Sequence, residues 1–314
     1  MGFNYSFDKD EPHTRLSAGN RRRSWFFAVL FTLLLLVLVL IFRPAQSSKN
    51  SGEAAANSAA NSENSGNPGS EGSGAVNAAE TKFSAEQEKL YNDAAAAIAA
   101  KDFLRGKQLA EMLVRHLEIG GTQWFSAVGL LNRANSGIVF NKVKCDKNVI
   151  YDVKSGDTFS RLSDKLNTTL YALWKINDLP EGSSDLKVGD KITCYKGDWS
   201  VEINKKAQAV CVMDGNELFL AYPAGFSSKN KIPAGEYSFP GSKKKQFAAG
   251  GDRRNHYGTR FMGFNNTSIG GIHGTWDAGD VRGEFNDGYI RMNNADVEML
   301  FMLLPGGTKV KIVD

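Results

Sequence analysis

Two residues in the C-terminal third of the chain have side chains suited to acid–base or nucleophilic chemistry. His273 stands in Ile272-His273-Gly274-Thr275, and Tyr289 follows in Asn286-Asp287-Gly288-Tyr289-Ile290-Arg291-Met292. Histidine is the side chain best suited to act as a general base near neutral pH. A phenol with a pKa of about 10 is ionised in roughly one molecule per thousand at pH 7, against a few per cent of thiols. These residue types therefore supply a base and a poor nucleophile.

Both stretches resemble the active-site signature of the L,D-transpeptidase (YkuD-type) family, I-H-G-T followed by S-x-G-C-I-R-M. The resemblance places His273 at the position of the base, Gly288 in the turn before the nucleophile, and Arg291 at the arginine that helps hold a carboxylate or organise the site. Tyr289 stands where the family has its nucleophilic cysteine, and Asn286 where it has serine. In this family the cysteine attacks a tetrapeptide stem of the cell wall, and an amine of a second stem resolves the acyl-enzyme.

The resemblance extends over residues 199–314. Ile232-Pro233-Ala234-Gly235-Glu236-Tyr237 is similar to the family's T-P-x-G-x-F, residues 255–260 to N-x-x-G-x-R, and residues 305–310 to its closing G-T-x-V strand. Short β-like runs alternate here with Gly/Asn turns. Strands are predicted over residues 200–203, 209–213, 217–222 and 309–313, and a helix from Asn294. We therefore predict a mainly-β domain with one or two helices.

The tyrosine at the nucleophile position leaves two interpretations of this domain open. Losing a nucleophile typically costs about 10⁴ to 10⁶ in rate, which favours a domain that binds stem peptides through the region of Arg291 without cross-linking them, or that docks onto a cell-wall enzyme. The alternative is an active L,D-transpeptidase in which Tyr289 attacks, as the tyrosine of sialidase-type glycosidases does, or in which Cys211 replaces it. His273 would serve packing in the first case and catalysis in the second.

Residues 149–196 carry a second pattern. A strand at Tyr151, two helices and a closing strand near Ile192 give a βααβ order. The motifs Tyr-x-Val-x-x-Gly-Asp-Thr, Leu-x-x-x-Asn-x-Leu and Leu-x-Val-Gly-x-x-Ile resemble the LysM family, which binds N-acetylglucosamine polymers, in bacteria usually peptidoglycan. The resemblance implies a shallow glycan groove between two loops. Its residues are Gly156, Asp157, Thr158, Asn177, Asp178 and Leu179.

Residues 83–140 are predicted to be helical. Ser84 and Gln87 suit a capping box, and apolar residues recur at helical spacing on both sides of Lys101. Gly120 and Gly121 are expected to end the second helix, and a third helix could cover residues 124–132. The pattern resembles a tetratricopeptide-type hairpin. It would be a spacer or packing module, or a surface that recruits partners, which would make the chain a cell-wall scaffold.

The N-terminal part predicts a membrane anchor. Residues 25–42 are apolar except for Thr32, and eighteen residues at about 1.5 Å each just span a bilayer core. Arg21, Arg22 and Arg23 precede the run, which places residues 1–24 in the cytoplasm and the rest outside, in the periplasm or cell wall. A cleaved signal peptide fits less well. Residues 43–82 are rich in Ser, Asn, Ala and Gly, which predicts a disordered linker.

Taken together, we predict a multidomain α+β protein with one transmembrane helix, a helical hairpin, a LysM domain and a mainly-β C-terminal domain. Its predicted partners are peptidoglycan and, through residues 25–42, the inner membrane. The net charge of +4 comes with no basic stripe interleaved with aromatics, so nucleic acid is not an expected partner. Neither a metal site nor a cofactor is predicted. Cys145 and Cys194 could form a disulfide or remain free, and Cys211 has no assigned partner.

Overall fold

The computed structural model describes residues 82–227, 232–240, 247–248, 257–265, 270–276, 281–282 and 289–314. All of them belong to one compact unit, residues 74–314. The predicted cytoplasmic tail, membrane span and nearly all of the linker lie outside the described residues. Within the described ranges, no helix combines the length and the apolar composition needed to cross a membrane.

The helical region contains three helices rather than a hairpin. They are α1 (Ala85–Ala99), α2 (Phe103–Val114) and α3 (Thr122–Phe140). The Ser84–Gln87 capping box is confirmed, with both reciprocal hydrogen bonds present. The prediction that the paired glycines end the second helix is wrong, because α2 already stops at Val114 and Gly121 is the N-cap of α3. The third helix runs eight residues beyond the predicted Asn132.

The βααβ order of the second region is confirmed. Its elements are β1 (Asn148–Asp152), α4 (Phe159–Leu166), α5 (Leu170–Ile176) and β2 (Lys191–Tyr195), with β1 and β2 antiparallel. Thr158 and Thr169 cap the two helices through their hydroxyl groups. Asn167 ends α4 with a φ of 50°, a left-handed conformation that asparagine tolerates better than most residues. A small apolar core, including Leu162 and Leu173, fills the space between the helices and the sheet.

In the part of the C-terminal region that the structure describes, two five-stranded sheets and one helix form a sandwich. The first sheet has the order β5 (Glu217–Pro223), β4 (Ala209–Asp214), β3 (Trp199–Asn204), β12 (Lys309–Val313), β7 (Gly235–Ser238). The second has the order β6 (Gly225–Phe226), β11 (Ile290–Arg291), β10 (Gly271–His273), β9 (Arg260–Gly263), β8 (Phe247–Ala248). Helix α6 spans Asn294–Leu303. The four strands and the helix predicted from the sequence are all confirmed.

One hydrophobic core joins all three regions. Both sheets contribute to it, for example through Val201 and Ile272, as do Ile138 of α3 and Ile176 of α5. Because α3 and α5 bury side chains in the same core as the sandwich, the LysM region is packed onto the C-terminal region rather than tethered to it.

Helix α3 also covers an edge strand of the first sheet. The side chain of Asn132 donates to the carbonyl oxygen of Ala221 at 2.8 Å and accepts from its amide at 3.0 Å. Asn135 donates to the carbonyl oxygen of Phe219 at 2.7 Å. The two asparagines thus supply hydrogen bonds that a neighbouring strand would otherwise make, which protects this edge of β5 from further pairing.

Helix α5 meets α6 through ring contacts and one hydrogen bond. The rings of Tyr171 and Phe301 are 4.9 Å apart at a steep angle. The hydroxyl group of Thr169 donates to the carbonyl oxygen of Met302. At the join between the two regions, Tyr195 of β2 stacks on Trp199 of β3 with ring centroids 5.7 Å apart. The connection between these strands is therefore part of the core.

The proposed disulfide is not present, and all three cysteines are free. The strand register explains this, because Val149, not Cys145, lies opposite Cys194. Cys194 points into the small core of the LysM region, whereas Cys145 packs against the large shared core. The two thiols therefore face different cores.

Candidate functional site

The candidate site lies on the outer face of the second sheet. Alternation along the strands sends Met262, Ile272 and Ile290 into the shared core. Their neighbours point the other way, and the register pairs His273 with Phe261 on one side and with Arg291 on the other. Three residues far apart in the sequence are thus side by side on one face. Of the predicted site residues, His273 and Arg291 are neighbours in the register, and the ring of Tyr289 lies 5.9 Å from that of His273.

His273 is almost fully buried, with 1 % of its surface exposed. Its Nδ1 lies 2.6 Å from the carbonyl oxygen of Gly274. A carbonyl only accepts, so in the neutral ring Nδ1 carries the hydrogen and Nε2 has the lone pair. The imidazole is therefore held in one tautomer, with Nε2 as its basic nitrogen.

Tyr289 belongs to a cluster of four rings. Its centroid lies 5.9 Å from His273, 5.4 Å from Tyr257 and 5.3 Å from Phe261, each with the rings nearly perpendicular. Tyr257 also meets His273 edge-on at 5.5 Å. Such edge-to-face pairs stabilise by roughly 0.5–1.5 kcal/mol each beyond the buried area. The position that the resemblance assigns to the nucleophile is therefore filled by a ring that packs against the base.

Arg291 holds a neighbouring loop. Its Nε and one terminal nitrogen each donate to the carbonyl oxygen of Val281 at 3.3 Å. On the next residue of the strand, the amide of Met292 donates to the carbonyl oxygen of His273 at 2.8 Å, which fixes β11 against β10. Arg291 is thus bonded to the main chain at Val281.

Asn294, at the start of α6, is a residue of the site that the sequence analysis missed. Its Oδ1 accepts from the amide of Thr259 at 3.0 Å. A Cβ on Gly258 or on Gly274 would come within 2.2 Å of that same oxygen, and Gly258 has a φ of 61°. Both glycines are therefore required for the asparagine to tie the helix to the site strands. In the sequence, Gly258 of the N-x-x-G-x-R motif could have indicated that another group comes close to the backbone here.

Tyr257 and Phe261 were also missed, although both lie in or next to that motif. Gly288, predicted to form the turn before the nucleophile, lies outside the described residues. Tyr289 further lines a cavity of about 240 Å³ together with apolar residues such as Ile232 and Ile290. This cavity is large enough for a small apolar group.

In the LysM region, the first predicted loop is held by its own hydrogen bonds. The carboxylate of Asp157 accepts from the hydroxyl group of Tyr151 at 2.8 Å and from the amide of Lys154 at 2.9 Å. The backbone bond to Lys154, followed by the bond to Tyr151, lowers the pKa of Asp157. Gly156 turns the chain with a φ of 82°, and Thr158 caps α4. Asp157 and Thr158 thus shape the loop with their side chains.

The second predicted loop is tied both to β2 and to the helical region. The side-chain amide of Asn177 exchanges two hydrogen bonds with the backbone of Thr193, at 2.9 and 2.8 Å. Asp178, with a φ of 57°, accepts from the ammonium group of Lys142 at 2.8 Å, which lowers its pKa. Leu179 packs against the small core. Side-chain hydrogen bonds thus hold both loops, and the loop backbone groups are the remaining candidates for glycan contacts.

Cys211, the alternative nucleophile, lies on the first sheet and not on the sheet of His273. Burial raises the pKa of its thiol to about 12. It packs with Trp124 and Val128 under helix α3. A half-buried thiol whose pKa is raised in this way is a poor nucleophile, which supports a packing role. Among the described residues, no group of three or more His, Cys, Asp or Glu side chains could hold a metal ion.

Comparison with known proteins finds similarities both in sequence and in structure. Residues 151–193 match the LysM domain family. "Putative L,D-transpeptidase YqjB" of Bacillus subtilis (strain 168) is 33 % identical over 129 residues, covering 38 % of this chain and 73 % of that protein. "Putative L,D-transpeptidase YkuD" of the same organism is 25 % identical over 169 residues, covering 52 % and 97 %. An L,D-transpeptidase crystal structure from Stackebrandtia nassauensis matches with a TM-score of 0.31 and 15 % identity, covering 46 % of this chain and 64 % of that one.

Proposed function

Because the chain belongs to the L,D-transpeptidase family and carries a LysM domain, we propose that it binds peptidoglycan without cross-linking it. The LysM domain would hold the glycan strands. The transpeptidase-like domain would contact stem peptides near Arg291, or a cell-wall enzyme that acts on them. Residues 25–42 would anchor the chain in the cytoplasmic membrane, with the folded unit on the outer side.

One observation carries the non-catalytic part of this proposal. The ring of Tyr289 packs edge-on against His273, 5.9 Å between centroids, and the histidine is only 1 % exposed. An acyl transfer needs a nucleophile that the base can deprotonate and that a substrate carbonyl can reach. A phenol is bulkier than a thiol and a weaker nucleophile, so it meets neither need well. The site therefore keeps the architecture of a transpeptidase while its reactive position serves packing.

The glycan-binding part is supported by the rigidity of the LysM loops. Asp157 and Asn177 fix the two loop backbones through hydrogen bonds to neighbouring main-chain groups. A preorganised loop loses little conformational entropy when a sugar binds, so backbone amides and carbonyls can pair with acetamido groups at low cost. This arrangement suits recognition of a repeating polymer.

Two assays on the full-length chain in a mild detergent test the proposal. The first is intact-mass analysis after incubation with a disaccharide tetrapeptide from sacculi and, separately, with a carbapenem. We expect no covalent adduct. The second is co-sedimentation with purified sacculi, where we expect the chain in the pellet. An adduct that maps to Tyr289 or Cys211 would overturn the non-catalytic reading, and failure to pellet would overturn wall binding.

An active enzyme is the second candidate, and the state of the histidine favours it. Since Nδ1 donates to Gly274, Nε2 is basic, and the imidazole shares its cluster with the phenol of Tyr289. A tyrosyl ester would be the expected intermediate of that reaction. The adduct assay separates the two candidates, because only the enzyme would gain the mass of the acyl group.

A scaffold is the third candidate, favoured by two exposed apolar residues of α2. Leu104 and Met112 are 42 % and 51 % exposed, and their spacing of eight residues places them on one side of the helix. Deleting the helical region would not test this, because Ile138 and Val139 of α3 belong to the shared core. The double substitution Leu104→Glu with Met112→Glu is the cleaner variant. Loss of a wall-enzyme partner from pull-downs, with sacculus binding intact, would support the scaffold.

A further inference from the structure

Among the residues that the structure describes, other elements cover only half of the outer face of the first sheet. Its inner face builds the shared core through Val201, Val310 and their neighbours. On the outer side, Trp124 and Val128 of helix α3 pack on β4 and β5, where they contact Cys211. The side chains of β3, β12 and β7 on this face form a groove of about 860 Å³. We call this the open sheet face.

The strand register arranges the open sheet face in two rows. In one row, Lys311 of β12 lies between Glu202 of β3 and Glu236 of β7. In the other row, Lys309 lies between Ser200 and Ser238. Side chains directly opposite in a sheet are about 4.5–5.5 Å apart at Cβ, whereas diagonal neighbours are about 7–8 Å apart. The two lysines on one strand thus have different neighbours: acidic for Lys311, neutral for Lys309.

The Lys309 row presents hydrogen-bond donors. Among the residues that the structure describes, the ammonium group of Lys309 forms no ion pair, and a lysine has no acceptor to offer. The hydroxyl oxygen of Ser238 already accepts from the side-chain amide of Asn265 at 3.1 Å, which leaves its hydrogen to donate. Ser200 adds a further hydroxyl group. A cation between two hydroxyl donors suits an anionic acceptor with two oxygens, which is a carboxylate.

We propose that the Lys309 row binds a stem-peptide carboxylate of peptidoglycan. This inference rests on the proposed function, which brings the chain into contact with the wall. Stem peptides carry free carboxylates, and Lys309 offers the complementary charge on the open sheet face, because serines flank it in the register whereas glutamates flank Lys311. The row lies on the outside of the first sheet, while Tyr289 and Arg291 lie on the outside of the second. The domain therefore has a second wall-contacting surface across the sandwich from the candidate site.

Lys309→Met and Lys311→Met form a matched pair for the test, since each keeps the apolar stem and removes one charge from the same groove. The full-length chain, in mild detergent, is titrated calorimetrically with the disaccharide tetrapeptide and with the same muropeptide after methyl esterification of its carboxylates. We expect the wild type to bind the free acid about two- to five-fold more tightly than the ester, the range of an exposed ion pair. Lys309→Met should abolish this preference, and Lys311→Met should keep it.

The outcomes separate this inference from the proposed function. A wild type that binds acid and ester alike, or a preference that survives Lys309→Met, would overturn the inference, and so would an equal loss in both lysine variants. Sacculus binding and chito-oligosaccharide binding, which report on the LysM domain, should persist in Lys309→Met. If the wild type discriminates acid from ester through Lys309 but does not pellet with sacculi, wall binding fails and the carboxylate contact stands.

Discussion

At the scale of single residues, Tyr289 decides how the site can react. Its ring packs edge-on against the rings of Tyr257, Phe261 and His273. The phenol therefore contributes to packing where a thiol would contribute a nucleophile. The base, its tautomer and the strand register do not depend on that side chain. Packing and reactivity are therefore separable at this position.

This separation predicts a gain of reactivity in Tyr289→Cys. A thiol at this position has a pKa near 8.5 when unperturbed and sits beside a basic Nε2, so we expect a covalent carbapenem adduct that the wild type lacks. The loss of the ring contacts should lower the free energy of unfolding by about 1–3 kcal/mol. Intact-mass analysis and denaturant titration measure the two effects.

The double variant Tyr289→Cys with His273→Gln is the control, since it keeps the thiol and removes the base. Its adduct should form more slowly by about 10²-fold or more. A folded Tyr289→Cys variant that forms no adduct would contradict the prediction and mean that other residues also keep the site from reacting.

The site residues differ in how far the sequence could predict them. His273, Tyr289 and Arg291 stand in short motifs, so their roles could be assigned locally. Phe261 could not, because it reaches the site only through the pairing of β9 with β10. For Asn294, Gly258 of the motif could indicate a close approach but not which residue makes it. Pairing between distant strands leaves no signal in a single short window of sequence. The same limit explains why the Cys145–Cys194 disulfide was proposed and is absent.

At the scale of elements, β3, β4 and β12 of the first sheet were predictable because buried residues recur at every second position. The length of helix α3 was underestimated because its buried residues do not follow such a regular pattern. It buries residues on most of its circumference, including Trp124, Leu130 and Ile138, against α2 and the edge of the sheet. A helix surrounded in this way has no polar stripe, so its periodicity is weak and its length is hard to predict.

Two glycines of α3 predict opposite effects of the same substitution. A Cβ at Gly137 would lie 2.2 Å from the ring of Phe103, whereas one at Gly129 would meet nothing within 4 Å. We expect Gly137→Ala to destabilise by about 1–3 kcal/mol through overpacking. Gly129→Ala should stabilise by about 0.5–1 kcal/mol, since alanine favours the helix.

Urea unfolding followed by far-ultraviolet circular dichroism measures both glycine variants. Because the two residues share one helix, an effect of helix propensity alone would have the same sign in both. Stabilisation by Gly137→Ala would show that the ring of Phe103 moves aside and that α3 is less closely packed than described.

At the scale of the whole molecule, the shared core predicts cooperative unfolding of the described unit. Helix α5 and strand β12 belong to different regions but bury Ile176 and Ile312 in one core. Native-state hydrogen exchange of the full-length chain should therefore show both elements losing protection at the same urea concentration. Phe301→Ala removes the ring that Tyr171 packs against. It should move both transitions to lower urea and lower the free energy of unfolding by about 3–5 kcal/mol. Loss of protection in α5 at a lower urea concentration than in β12 would contradict a shared core.

The stacking of Tyr195 on Trp199 has a consequence for how such a protein can evolve. Domains joined by an exposed linker can be exchanged by recombination, since a new junction disturbs no packing. Here the last strand of the LysM region and the first strand of the sandwich are joined by three residues, and both flanking rings are buried. If recombination joined one of these domains to a different partner domain, that partner would have to supply an aromatic ring that packs against the one retained. The two domains should therefore be inherited as a pair, with substitutions at Tyr195 and Trp199 changing together.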